Sequence, residues 1–450
     1  MAAFPSRMAA PIPSTPERQL GLGDLILFNL AAVTSTRALA AAAHTGSGSV
    51  WLWLSACLLF FIPSALCVSA LARRMPQEGG LYIWTRESFG PWHGFLCGYC
   101  YWLNNLFYFP SLILAGAAMS AYVLGTGGAA LSENPVFALT LSIAVLWTVT
   151  WLNIRGLQTG KWMGNIGGLS TMATGGLLLL LAGSYLVQRS PATVLDWRLE
   201  WNWDKLNFWP QIAFAFGGLE LGAIMGAEVE RPERTIPRAA WTSGALITAF
   251  YLTGTVCLLI LLTPDAISPV TGLTQAGSAA GNALGLTWLP SAVALLMTAG
   301  IFGQFSVWLA GSARLPLVLG IDRHLPAAFA KPHSRYGTPS TALLFQAFAC
   351  TAFLLLMHAG ENLRTGYQLL VDMTVITYFI PFLYLFAAAW RQGRSAAAFS
   401  GFAVTSMSLA ISFVPPGSSE HPWLFVGKLV GGTAIMIGFA RFWYGRNAAA

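Results

Sequence analysis

Apolar runs of about twenty residues recur along almost the whole chain, separated by short polar stretches. Crossing a bilayer core takes roughly 20 apolar residues of helix, each advancing about 1.5 Å. The runs therefore predict spans near 25–44, 51–72, 93–123, 135–154, 163–187 and 208–228. A second set is predicted near 239–263, 287–312, 339–358, 367–390, 396–414 and 422–443. About twelve helices in one membrane domain follow, and the 93–123 run is long enough to tilt strongly.

Two of these spans are interrupted. The first carries the polar run Val33-Thr34-Ser35-Thr36-Arg37 amid alanines. The sixth carries Phe214-Ala215-Phe216-Gly217-Gly218-Leu219-Glu220, a glycine pair followed by a carboxylate at mid-membrane depth. Each glycine lowers helix propensity by about 1 kcal/mol relative to alanine. An intramembrane acid costs about 2.5–3.5 kcal/mol on insertion scales, so neither segment suits a lipid-facing surface. Unwinding a helix at this depth exposes N–H groups on one half and carbonyls on the other, which can hold a carboxylate and an ammonium. The first and sixth positions are equivalent if spans 1–5 and 6–10 form an inverted repeat. Two plainer readings stand beside this one. The glycine pair suits close helix packing, and Arg37 suits an internal ion pair with Glu220.

Composition narrows the setting. Of 450 residues, 56% are hydrophobic and 9% charged, with a mean hydropathy of +0.62. Soluble domains carry about 25% charged residues, so most of this chain faces lipid. Of 24 Lys and Arg residues, 18 fall in segments that are inner if the N-terminus is inside, four fall in outer segments, and Arg37 and Lys428 lie within spans. The positive-inside rule then places both termini in the cytoplasm of a multi-pass cell-membrane protein. The net charge of +7 reflects that bias and not a nucleic-acid footprint. Residues 1–20 lack a secretory apolar core and read as a cytosolic tail. The six cysteines, Cys97 and Cys100 included, read as buried small side chains, and the histidines lack metal-ligand spacing. No cofactor, metal or catalytic residue is expected. Trp51, Trp53, Trp197, Trp201 and Trp203 read as interfacial aromatics. Asp372 suits either a permeation path or a helix start, and Lys428 suits snorkelling. Glu228, Glu230 and Glu233, interleaved with Arg231 and Arg234, read as a solvated inner loop, with an ion-pair network that changes between inward-open and closed states as the alternative.

Three ordered segments carry a family resemblance. They are Pro76-Gln77-Glu78-Gly79-Gly80-Leu81-Tyr82-Ile83-Trp84 with Phe89-Gly90-Pro91; Phe214 to Glu220 continuing through Ala227-Glu228 and Pro237-Arg238-Ala239; and Arg314, Gly320-Ile321-Asp322-Arg323-His324-Leu325-Pro326 and Tyr336-Gly337-Thr338-Pro339. Together they resemble the amino acid–polyamine–organocation (APC) superfamily, and Phe61-Ile62-Pro63 with Phe109-Pro110 is similar to its glutamate/GABA antiporter branch. The resemblance implies an all-α polytopic membrane protein of the LeuT type. Its core would be a five-plus-five inverted repeat over 21–390 with discontinuous first and sixth helices, and two C-terminal helices and a short tail would fill 391–450. It also implies secondary transport by alternating access. Residue by residue, it places Thr36 and Arg37 at the carboxylate-holding break, Phe214 at an aromatic gate and Gly218 at the sixth-span break, and the neighbouring Thr34, Ser35, Phe216 and Gly217 complete the candidate substrate-binding set. Glu220 falls at a buried gating or proton-coupling acid, and Asn104 and Asn105 near side-chain contacts. Two departures matter. Ser35-Thr36-Arg37 replaces a glycine–small–glycine pattern, and Thr171 stands where many sodium-independent members carry lysine.

The expected function is transport of an amino acid or amino-acid derivative, proton-coupled or by exchange, with the bilayer and a small solute as partners. Oligomeric state stays open. A polyamine or organic-cation carrier of the same fold is the alternative, opposed by the fixed charge of Arg37. A nutrient sensor is the remaining one, without a soluble signalling domain to support it.

Overall fold

The computed structural model describes residues 18–198, 203–358, 361–415 and 422–448. The tail before residue 18 and Trp201 lie outside the described residues, as do the side chains of Trp203 and Asp372.

Among the described residues every regular element is helical, and the one extended pairing is an isolated bridge between Leu20 and Val229. Nine helices among the described residues are long and apolar enough to cross a bilayer, and a bent pair, Leu22–Val33 with Thr36–His44, makes a tenth. The expected eleventh span, Ser395–Ser412, is apolar but short. The expected sixth is divided between Trp203–Phe214 and Leu219–Ile224. Large apolar side chains such as Leu180, Val187 and Ile435 point outward, as a lipid-facing surface requires and a wetted one of this size would not tolerate. The protein is an all-α polytopic membrane protein.

Local sequence explains both interruptions. In the first span, Thr34 and Ser35 are extended, and the Ser35 hydroxyl caps the second half-helix by accepting from Ala38 N–H at 3.2 Å. Serine favours that role because its oxygen satisfies an otherwise orphaned N–H. The two halves meet at a 44° bend. In the sixth span, Phe216 N–H and Gly217 N–H bond back three residues to Ala213 and Phe214 carbonyls, tightening the last turn. Gly218 then takes φ +124°, a conformation open to glycine and strained for other residues.

Close packing around the breaks relies on small residues. A Cβ on Gly167 would lie 2.6 Å from Gly303 Cα, where the fifth span (Leu157–Gln188) crosses the eighth (Leu289–Ser312). Thr171, near that crossing, is buried and returns its hydroxyl to Gly167 O at 2.9 Å. The second span, Ser49–Arg74, contains a π-turn at Cys57–Phe61 just before Pro63, whose ring nitrogen cannot donate.

Candidate functional site

The two breaks lie side by side, and both contribute to the wall of a cavity of about 540 Å³. Its inner wall includes Ser35, Arg37, Asn104, Phe214, Gly217, Gln304, Trp308 and Tyr378. Farther out it is lined by Pro269, Val270, Ile411, Val414, Phe425 and Leu429. Pro269 and Val270 belong to the connection after the seventh span (Pro232–Leu261), and Val414 and Phe425 flank the connection between the last two helices. The cavity therefore opens on the face where those connections lie.

Five of the sequence-predicted residues reach the wall: Ser35, Arg37, Asn104, Phe214 and Gly217. Arg37 makes no ion pair or hydrogen bond with any described residue. It is not paired with Glu220. That carboxylate is 1% exposed and lies behind the wall, held by Tyr101 Oη and Tyr378 Oη at 2.8 Å each and by Gly218 N–H at 3.1 Å. Two tyrosine hydroxyls and a backbone N–H satisfy it without a cation. Tyr378 both lines the cavity and holds Glu220, so a change of charge on the acid reaches the wall through one side chain.

Thr34, Thr36, Asn105, Phe216 and Gly218, also expected at the site, lie behind the wall. Asn105 turns its amide back to Tyr101 O at 2.7 Å. Phe216 packs edge-on against Trp53 and Tyr251. For Asn105 this follows from helix geometry, in which adjacent residues face different directions. Asn104, by contrast, lines the cavity and donates to Thr374 O at 2.6 Å.

Sequence reasoning missed the tyrosines. Tyr251, on the seventh span, bonds to both breaks: its hydroxyl accepts from Ser35 N–H and lies 2.9 Å from both Val33 O and Ala215 O. It is stacked on Trp53 at 3.9 Å between ring centroids. Nothing in the sequence marked Tyr101, Tyr251 or Tyr378. Gln304 and Trp308, four apart on the eighth span, could have been read as one polar-edged face.

Gly217 gives a sharp structural constraint. A Cβ there would run into the Tyr378 hydroxyl. Gly217→Ala is expected to displace Tyr378 from Glu220 and reduce transport at least tenfold with little loss of surface expression, which uptake and membrane-fraction blotting measure together.

The opposite face is tied shut. Gln19 N–H and Leu20 N–H donate to Glu228 O at 3.0 and 3.1 Å, and Glu230 N–H donates to Leu20 O at 3.0 Å. Lys161 pairs with Asp24 at 3.3 Å, and Arg86 pairs with Asp322. Glu228 is not in a solvated loop as the sequence suggested. It is 6% exposed and accepts both bonds of a bidentate pair from Arg314, at 2.8 and 3.0 Å. Glu230 and Glu233 do remain exposed. The reason is the short turn Gly226–Glu228 after the second half-helix, which delivers Glu228 inward beside the start of Arg314–Ile321.

Glu78, in the connection before Leu81–Phe89, adjoins this pair. Burial, reinforced by the Glu228 charge and opposed by Arg314, pushes its carboxyl up to about 8. An ordinary glutamate titrates near 4.3. The folded state therefore keeps a proton that the unfolded chain releases, and stability falls as pH rises from about 4.5 to about 8, then levels off. Wild-type thermal midpoints are expected to decline over that window. The Glu78→Gln variant should lose the part of the slope that one proton accounts for, which thermal unfolding across pH would check.

A bundle of apolar spans around a polar cavity, open on one face and bolted on the other, has the build of a membrane transporter for small solutes. Residues 20–438 match the amino acid permease family, and the chain belongs to it. It is a permease, not an enzyme. An uncharacterized transporter of Legionella pneumophila is 27% identical over 94% of this chain and 95% of its own length. A glutamate/gamma-aminobutyrate antiporter of Lactococcus lactis is 23% identical, covering 80% and 77%. A polyamine transporter of Oryza sativa is 28% identical, covering 72% of this chain and 59% of its own.

Proposed function

We propose that this permease is a secondary active carrier of a carboxylate-bearing solute, an amino acid or amino-acid derivative, working by alternating access in the cell membrane. The observation that carries this reading is Arg37: a guanidinium on the cavity wall just past the first helix break, with no ion pair or hydrogen bond to any described residue. Guanidinium binds carboxylate through paired, charge-assisted bonds. The same fixed charge disfavours polyamines and other organic cations, which keeps the Oryza relative's cargo as the weaker alternative. The two breaks support a five-plus-five repeat over residues 21–390, with the last two helices outside it. With the Lys- and Arg-rich segments placed in the cytoplasm, the open face is external and the Glu228–Arg314 face internal.

Glu220 is the proposed coupling group. Among the described residues it is the one carboxylate adjoining the breaks, and Tyr378 links it to the cavity. Uptake of labelled amino acids into proteoliposomes, competed with glutamate and with putrescine, tests the cargo class. Glutamine at Glu220 preserves the shape of the site, so Glu220→Gln is expected to transport with a flattened pH dependence. A variant whose pH profile matches wild type would remove Glu220 from coupling.

A further inference from the structure

A second cavity of about 390 Å³ lies apart from the central one and shares no lining residue with it. Val50 and Leu54 of the second span, Leu186 of the fifth, and Leu252 and Val256 of the seventh wall it. Trp197 covers the end beside Val50. The segment that carries Trp197 is strapped over the helix ends: Trp51 Nε1 donates to Trp197 O at 2.9 Å, and Thr193 Oγ1 donates to Leu262 O at 2.9 Å. On its open side the cavity is continuous with the lipid-facing surface, since Leu179 and Leu186 both line it and are exposed.

The chemistry of the lining restricts what can enter. Its wall is apolar, and the hydroxyl of Thr253 is returned to Ala249 O at 2.7 Å. A trapped water needs two to four polar partners, which this wall does not supply. Apolar walls gain contacts here only from an apolar occupant. One turn of a helix about 10 Å across would take up roughly the whole volume, so a neighbouring protein helix does not fit between the three spans. A hydrocarbon chain, one methylene wide, does, and the covered end leaves the bilayer as its way in.

The same walls carry the tether of the two breaks on their inner side. Trp53 and Tyr251, the sequence neighbours of Leu54 and Leu252, stack with ring centroids 3.9 Å apart. Trp53 Nε1 donates to Thr255 Oγ1 at 3.0 Å, next to Val256. An occupant of the cavity thus rests against the turn of the seventh span that presents Tyr251 to both breaks. From this geometry we infer a lipid site: one acyl chain of a bilayer phospholipid lies between spans two, five and seven under Trp197, and seats the turn that carries Tyr251.

Gly183 makes the site testable. It lines the cavity and is exposed, and a Cβ there meets nothing within 4 Å. Gly183→Phe therefore places a ring in the path of the chain, on the far side of the wall from Tyr251. Gly438→Phe, at an equally open and exposed position of the last helix, is the control. The full-length protein, exchanged into lipid-free detergent, is offered palmitoyl-oleoyl phosphatidylglycerol or oleate and weighed by native mass spectrometry. Wild type and control are expected to retain one phospholipid, and Gly183→Phe at least tenfold less. The wild-type thermal midpoint should rise with added phospholipid, because a ligand stabilises the state it binds, and that of Gly183→Phe should rise less than half as far. If Gly183→Phe fails to fold, Val256→Phe blocks the cavity from the facing wall. Equal retention or an equal midpoint rise in wild type and the blocked variant overturns the inference. So does a wild type that retains no phospholipid, or retains oleate in its place.

Discussion

Arg37→Ala is expected to lower kcat/KM for a carboxylate solute about 100-fold, with most of the loss in apparent affinity. Removing one partner of a desolvated, hydrogen-bonded charge pair typically costs about 2–5 kcal/mol, and each 1.4 kcal/mol is about a factor of ten. Arg37 has no bonded partner among the described residues, so its removal leaves no buried protein charge stranded and the fold should survive. This separates it from most arginine substitutions in membrane helices, where lost binding and lost stability are confounded. Arg37→Lys should recover only part of the loss, because an ammonium cannot reproduce the paired geometry of a guanidinium. The measurement is substrate titration of uptake in proteoliposomes containing equal amounts of folded protein. A variant that transports with unchanged affinity would show that the carboxylate is held elsewhere.

Arg314→Met should give the largest loss of stability, about 3–5 kcal/mol, the usual cost of stranding one member of a buried ion pair. Arg314 is 2% exposed and Glu228 6%, and the two share a bidentate contact, with Glu78 alongside. Deleting the guanidinium leaves two carboxyls in a site with no comparable countercharge. Replacing both partners by apolar residues of similar volume is often nearly neutral, so Arg314→Met with Glu228→Met should regain most of the stability. Because this pair helps lock the closed face, the double variant should also expose that face more readily. Thermal unfolding in detergent reports the first effect and labelling of introduced cysteines the second. An equally unstable double variant would show that Arg314 acts through packing and not through its charge.

Much of the architecture was legible because lipid imposes a simple length rule. The runs at 135–154 and 339–358 became Pro135–Ile154 and Ser340–His358 almost residue for residue. The breaks were legible for a related reason: a polar run ending in a cation, and a glycine pair followed by a carboxylate, do not suit a lipid-facing helix. Ser35 caps the second half of the first span, and Gly218 adopts a positive φ. The second half of the first span was less exact as a site, because Thr34, Ser35, Thr36 and Arg37 point in different directions once the backbone turns. Only Ser35 and Arg37 of the four reach the cavity.

Partners distant in sequence were not legible. Tyr251 lies more than 200 residues from Ser35, and Tyr378 lies 158 from Glu220. A tyrosine in an apolar helix carries no local sign of what its hydroxyl will meet. Glu228 looked like one of several solvated charges until the turn at Gly226–Glu228 set it against Arg314.

The amino-acid order alone therefore determined a lipid-embedded, all-helical chain with interruptions in its first and sixth spans, since hydropathy and capping act over a few neighbouring residues. Tertiary structure decided which polar groups remain available to a solute. Hydrogen bonds between distant helices tie the two breaks to Tyr251 and enclose Glu220, and they leave Arg37 facing the cavity.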